Sequence, residues 1–228
     1  MYKILLWDID GTVLNFKASE KNAIRTCFEV FGIGDCTDEM IARYSKINDK
    51  YWRRLERGEL SKPEVLRGRF AEFFETEGIS FDRVDDFNSE YQVRLGDKVF
   101  FFDNAYDIIK DIKNRVKQYA VTNGTYIAQS RKLANSGLDL LFDGVFISDK
   151  IGAEKPTIEF FDHVFANIEK VEKSEILIIG DSLTSDIKGA NNAGIPCCYY
   201  TQGKEFENTT DLRIDHVIKN LNEIYNLI

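Results

Sequence analysis

The chain has 228 residues, with 30 basic against 38 acidic side chains and a formal net charge of −8. An apolar fraction of 43% supports a packed core and excludes a disordered chain, and the length suits one large domain or one domain carrying an insertion. The acidic balance excludes a general binder of nucleic-acid polymers, which shows a basic stripe. No apolar run nears the roughly 20 residues that a bilayer span needs, and acidic residues follow Trp7 before any signal-like apolar stretch develops, so a cytoplasmic protein without membrane contact is expected.

In chain order, residues 2–7 form a short apolar run that stops at Asp8-Ile9-Asp10-Gly11-Thr12. Continuous hydrophobicity of this kind predicts a strand buried on both faces of a parallel sheet. From about Phe16 to Phe101 the periodicity is helical, with helices expected over 23–31, 40–56, 65–77 and 81–94. Ser61-Lys62-Pro63-Glu64 reads as a capping-box start with proline in the first turn. Ile108, Ile112 and Val116 then fall at i, i+4 and i+8, and Ile158, Phe161, Phe165 and Ile168 mark a second stripe. Further strands are expected at 118–124, 144–148 and 176–181, with weaker ones at 197–201 and 216–218, and Gly137 and Gly194 stand where helix ends belong. Alternation of strand and helix after residue 104 predicts an α/β fold, a doubly wound parallel sheet of Rossmann-like type. An all-helical module interrupts it, giving a core of residues 1–15 and 98–228 and a helical cap over 16–97. An insertion at the C-terminal end of a strand hangs over the crevice that such sheets use for ligands.

Only two histidines, His163 and His216, are present, and the four cysteines (Cys27, Cys36, Cys197, Cys198) show no Cys-x-x-Cys spacing. Reduced thiols without zinc are therefore expected. Carboxylates carry the chemistry instead. Four clusters lie at strand ends or just before helices: 8–12, Thr122-Asn123-Gly124, Lys155-Pro156, and 180–186 with Asp181 and Asp186. In an open parallel sheet these ends converge. Carboxylate oxygens without His or Cys suit a hard cation, Mg²⁺, and a lysine with free amides beside it would neutralise a phosphoryl group. Asp8 and Asp10 are expected on one face of the strand. One would act as nucleophile and the other as proton donor, permitting covalent catalysis through an aspartyl-phosphate.

The segments WDIDGTVLNF, VTNG, EKP and GDSLTSDI resemble the four motifs of the haloacid dehalogenase superfamily, and the inserted helices resemble its four-helix cap. The resemblance covers the whole chain. It implies Asp8 as nucleophile, Asp10 as general acid and then base, and Lys155 steadying the charge. Thr122 and the backbone at Asn123 would bind the phosphoryl group. Mg²⁺ would be held by Asp8, the carbonyl of Asp10, and Asp181, with Asp186 acting through water or Lys155. Dehalogenases of this kind lack the second aspartate, so Asp10 favours phosphoryl transfer. A phosphonate hydrolase of the superfamily would need a cap lysine for a Schiff base, and Lys17, Lys46, Lys50 and Lys62 are available.

Within the cap, Tyr44 to Trp52 followed by Gly58 and Arg67-Gly68-Arg69-Phe70 is similar to the subfamily of pyrimidine 5′-nucleotidases. That resemblance implies a small phosphorylated metabolite as partner, a nucleoside monophosphate, with Phe16 and Trp52 stacking a base, Asn48 bonding its edge and Arg69 adding charge. Trp52 and Phe70 at helical spacing also suit a core. Alternatives are a sugar-phosphate phosphatase or β-phosphoglucomutase-like enzyme, or a silent binding protein of the same fold. A monomer or small homo-oligomer is expected. Phe102-Asp103-Asn104-Ala105 stands where many relatives carry Pro-Gly-Ala.

Overall fold

The computed structural model describes residues 1–228. The opening run forms β1 (Ile4–Trp7), with all four side chains buried. Leu5 and Trp7 enter one core layer, while Ile4 and Leu6 enter the layer on the opposite face of the sheet. That two-sided burial is why the strand is apolar throughout.

The chain then builds four helices, α1 (Phe16–Phe31), α2 (Asp38–Glu56), α3 (Lys62–Thr76) and α4 (Val84–Arg94). α1 starts at Phe16 rather than at residue 23. Asn15 Oδ1 accepts from the Ala18 N–H (3.1 Å) and caps the helix, while Ser19 and Glu20 are buried polar residues in its first turns. Apolar periodicity therefore begins later than the helix does. The four helices share an apolar cluster, joined from the later part of the chain by Ala128. At its centre Phe70 is fully buried, with its ring centroid 5.0 Å from those of Tyr44, Phe87 and Tyr91.

The segments entering and leaving this bundle run side by side. Leu14 and Phe101 form an antiparallel bridge, the Asn15 N–H donates to Phe100 O (2.7 Å), and the Phe102 N–H donates to Val13 O (3.0 Å). Asp103 takes a left-handed conformation (φ 43°). Its carboxylate accepts from the Tyr200 hydroxyl (3.0 Å) and the Leu221 N–H (2.8 Å), tying the returning segment to the sheet.

The remainder alternates: α5 (Ala105–Ile112), β2 (Lys117–Thr122), α6 (Tyr126–Ser136), β3 (Gly144–Ile147), α7 (Ser148–Ile151), α8 (Ile158–Ala166), β4 (Ile176–Gly180), a wide π-helical turn (Leu183–Ile187), α9 (Lys188–Ala193), β5 (Cys197–Tyr200) and β6 (His216–Ile218). Gly137 and Gly194 terminate α6 and α9. α8 stops at Ala166, where Asn167 leaves helical geometry, so Ile168 lies beyond the helix and packs on the core from the following loop. The six strands are parallel in the order β3-β2-β1-β4-β5-β6. The chain winds outward from β1 in one direction and then from β4 in the other, which opens a crevice at the C-terminal ends of those two strands. All four thiols are free. No helix is long and apolar enough to cross a membrane.

Candidate active site

Asp8 directly follows β1, Thr122 ends β2 and Asp181 directly follows β4, so three adjacent strands deliver their terminal side chains to the crevice. Lys155, between α7 and α8, reaches in from the side. It is 1% exposed, and its ammonium has three acceptors: Asp8 Oδ1 (2.8 Å), Asp186 Oδ1 (2.6 Å) and Val121 O (2.9 Å). Burial works against its charge, but Asp186 and Asp8 outweigh it and hold the lysine above its ordinary range. Asp8 Oδ2 is buried without a hydrogen-bond partner. Carboxylate oxygens of Asp8, Asp181 and Asp186 lie within 4.8 Å of one another. Burial, then the charge of Asp186, pushes the Asp8 carboxyl up to about 7 against the pull of Lys155. Asp181 is raised well above the usual carboxylate range by burial and then by Asp8 and Asp186.

Neighbouring residues fix these groups. Asp181 accepts from Gln202 Nε2 (3.1 Å) and Thr12 Oγ1 (3.4 Å), and Gln202 also donates to Gly11 O (2.8 Å). Gly11 has φ +103°, and a Cβ there would lie 2.4 Å from Asp181 Oδ2, so only glycine lets the turn pass beneath that carboxylate. Asp186 Oδ2 accepts the Ser182 N–H (3.1 Å). The Asn123 side chain is stapled to the Lys155 main chain, donating to its carbonyl (2.8 Å) and accepting from its N–H (2.8 Å). It thus places Lys155, and only its backbone remains for an anion. Thr122 Oγ1 accepts the Gly124 N–H (3.1 Å).

Asp10 differs from the expectation. β1 ends at Trp7, so strand alternation no longer applies two residues past Asp8. The Asp10 carboxylate turns to α6, where Lys132 Nζ donates to both oxygens (2.7 and 2.8 Å) and Gln129 Nε2 to Oδ2 (2.6 Å). Lys132 and Gln129 carry no motif, and neither is singled out by the sequence.

Phe16, Asn48, Trp52 and Arg69 all line the same cavity as Asp8, Asp10, Thr122, Asn123, Lys155, Asp181 and Asp186. Arg69 is 1% exposed and bonds neutral partners, Asn48 Oδ1 (2.7 Å) and Asn88 Oδ1 (3.2 Å), with the Phe70 and Tyr91 rings 4.9 and 5.1 Å from its guanidinium carbon. The Asn48 oxygen also accepts from Trp52 Nε1 (3.1 Å), which leaves its amide N–H groups for a ligand. None of the five cap lysines, Lys17, Lys21, Lys46, Lys50 and Lys62, lines the cavity. Lys17 pairs with Asp49 (2.7 Å), Lys50 with Glu72, and Lys62 donates to Ser148 Oγ (2.7 Å) beside Glu154 (3.4 Å), so the Schiff-base reading has no cap lysine in place. Two further contacts join bundle to sheet over the cavity: Glu56, at the end of α2, accepts from Thr184, and Thr125 Oγ1 donates to Gln92 Oε1 (2.7 Å).

Residues 2–194 match the model of the family described as haloacid dehalogenase-like hydrolase. Over 227 residues, 100% of this chain and 95% of the relative, the sequence is 34% identical to the HAD-hydrolase YfnB of Bacillus subtilis (strain 168). A crystal structure of that protein, bound to magnesium and described as revealing interdomain movement, superimposes with a TM-score of 0.91 over 99% of this chain and 98% of the other. The chain is also 35% identical over 200 residues, 87% of its length and 84% of the relative's, to the pyrimidine 5′-nucleotidase PynA of Streptococcus pneumoniae (strain ATCC BAA-255 / R6). A match of this extent, joined to the sheet order and the crevice it creates, means that the chain belongs to the haloacid dehalogenase-like hydrolase family.

Proposed function

We propose that this hydrolase is a Mg²⁺-dependent phosphomonoesterase acting through an aspartyl-phosphate on Asp8, with pyrimidine nucleoside monophosphates as substrates. The observation that carries the reading is Asp8 itself, with one oxygen on Lys155 and the other buried and unpartnered beside Asp181 and Asp186. A buried carboxylate with a free oxygen and two acidic neighbours fits a hard dication. Asp8, Asp181 and the main-chain carbonyl of Asp10 would hold it, with Asp186 behind Lys155. Bound there, Mg²⁺ supplies the positive charge that lets a phosphate dianion approach these carboxylates.

The chain's own groups divide the remaining work. An Asp8 oxygen bonds to phosphorus as the bond from phosphorus to the leaving oxygen breaks, and that oxygen takes a proton from Asp10. Water then bonds to phosphorus, gives a proton to Asp10 and displaces Asp8, which releases inorganic phosphate and restores both residues. Lys155 balances charge on Asp8 throughout, while Thr122 and the backbone at Asn123 hold phosphoryl oxygens. The helical cap, residues 16–97, acts as a lid over the core of 1–15 and 98–228. The nucleotide assignment draws support from the similarity to PynA and from the aromatic and polar end of the cavity at Phe16, Asn48, Trp52 and Arg69.

A phosphate-release panel tests this. With MgCl₂, dUMP and dTMP are expected to turn over, EDTA to abolish release, and Asp8→Asn to be inactive. Release from sugar phosphates alone overturns the nucleotide assignment. Activity that survives Asp8→Asn overturns the covalent mechanism.

A further inference from the structure

We propose that Lys132 and Gln129 are positioning residues for the acid–base step, a clamp on α6 that sets where the Asp10 carboxylate points. The proposal rests on the phosphomonoesterase reading and assigns to it two residues outside the four motifs. Gln129 and Lys132 lie three apart on α6 and therefore share a face. Together they place three hydrogen bonds of 2.6 to 2.8 Å on the two oxygens of Asp10. The carboxylate is gripped at both oxygens, so its plane as well as its position is fixed.

The burial pattern shows what the clamp does. Lys132 is 1% exposed, and the Asp10 side chain is 21% exposed on the cavity that all three residues line. Phe16, the first residue of α1, covers the ammonium with its ring at 5.0 Å. Water is thus shut out on the lysine side, while the Asp10 carboxylate keeps some exposure and lines the cavity. Asp10 is the one acidic partner within salt-bridge distance of Lys132. A buried ion pair is close to neutral for stability against an apolar pair of equal volume, so stability does not account for this lysine. The clamp also sets Asp10 apart from the cluster of Asp8, Asp181 and Asp186. Released from α6, the carboxylate could swing away from the leaving oxygen. The two aspartates of the first motif therefore do different work because different cations hold them, Lys155 for Asp8 and Lys132 for Asp10.

In the first half-reaction the phosphorus–leaving oxygen bond breaks while Asp10 gives that oxygen a proton. An alkoxide needs the proton, whereas a nitrophenolate departs without it. Leaving-group dependence therefore reads the placement of Asp10 apart from the rest of the machinery. First-turnover release of the alcohol or phenol is measured by rapid quench for a nucleoside monophosphate and for p-nitrophenyl phosphate, with Mg²⁺ present. In Lys132→Met, nucleoside release should slow by on the order of 10²-fold and nitrophenolate release by less than about 3-fold. KM should stay near the wild-type value for both esters. Gln129→Met should show the same asymmetry in smaller measure, and Lys132→Arg should recover most of the loss. Should Lys132→Met not fold, the Gln129→Met and Lys132→Arg comparison carries the test. Equal slowing of both esters, or of neither, overturns the clamp and leaves the phosphatase reading standing. A wild-type chain that hydrolyses neither ester overturns both.

Discussion

Asp8→Asn exchanges one carboxylate oxygen for an amide at nearly constant volume, and in the metal-free protein it should raise stability while abolishing turnover. Asp8 is 7% exposed. Burial and the Asp186 charge, opposed by Lys155, lift its carboxyl from 3.8 to about 7. Below about pH 4 the folded and unfolded chains both carry the proton and there is no penalty. As pH rises from about 4 to about 7 the unfolded chain releases it first, so stability falls, and above 7 the penalty is complete. A rise of about three pH units at 1.36 kcal/mol each amounts to about 4 kcal/mol. Asparagine escapes that cost but places an amide N–H₂ where Oδ2 lies buried without partners, which returns about 1–3 kcal/mol. About 2 kcal/mol remains, a rise in Tm of about 4–8 °C for a chain of this size. Thermal melts of both proteins in EDTA at pH 8 and pH 4.5 check the reasoning, with the gain present at the first pH and absent at the second. Added Mg²⁺ should stabilise the wild type more than the variant and close the gap, because binding to the folded state adds to stability by mass action. A variant less stable than wild type at pH 8 in EDTA, or equally favoured at both pH values, refutes the argument.

Two further outcomes test the surroundings of the site. Gly11→Ala puts a Cβ 2.4 Å from Asp181 Oδ2 at φ +103°, so phosphate release should fall at least about tenfold and the Mg²⁺ concentration for half-maximal rate should rise, with a stability loss of about 1–3 kcal/mol from backbone strain. Unchanged Mg²⁺ dependence would show that the turn does not set Asp181. Phe70→Ala removes the ring at the centre of the helical cluster and should cost about 3–5 kcal/mol. Because that cluster is separate from the two layers around the sheet, limited proteolysis should cut the variant within residues 16–97 first. Simultaneous loss of the sheet would mean that bundle and sheet unfold as one unit.

How far the fold is legible follows from what each element buries. β1 and β4 are apolar at every position before the terminal glycine because both of their faces are covered, and a run of that kind is plain in the sequence. β6 pairs on one side only, with Val217 exposed and His216 half-buried, so it reads weakly. The first turns of α1 escape periodicity for a different reason. Their buried residues are Ser19 and Glu20, polar side chains that a hydrophobic stripe cannot register. Ile168 errs in the opposite sense, since it keeps the spacing of α8 and packs on the core although the helix has already ended.

The site divides along the same line. Asp8, Thr122 and Asp181 are legible because each terminates or follows an apolar strand, where a polar residue has to be explained. Asp10 falls in the same run of residues, yet its direction is set by Gln129 and Lys132, which are 119 and 122 positions away. Nothing local marks those two, since on α6 they look like the polar face of any surface helix, the solvated arrangement that composition favours. Their burial, 1% exposed in each case, separates them from that arrangement, because burying a lysine costs free energy unless a carboxylate meets it. On the proposed mechanism the motif aspartates place the chemistry, and the lysine beside each one, Lys155 at Asp8 and Lys132 at Asp10, would divide the labour between nucleophile and acid. That second choice lies in contacts between distant segments, so it emerges only when the chain is folded.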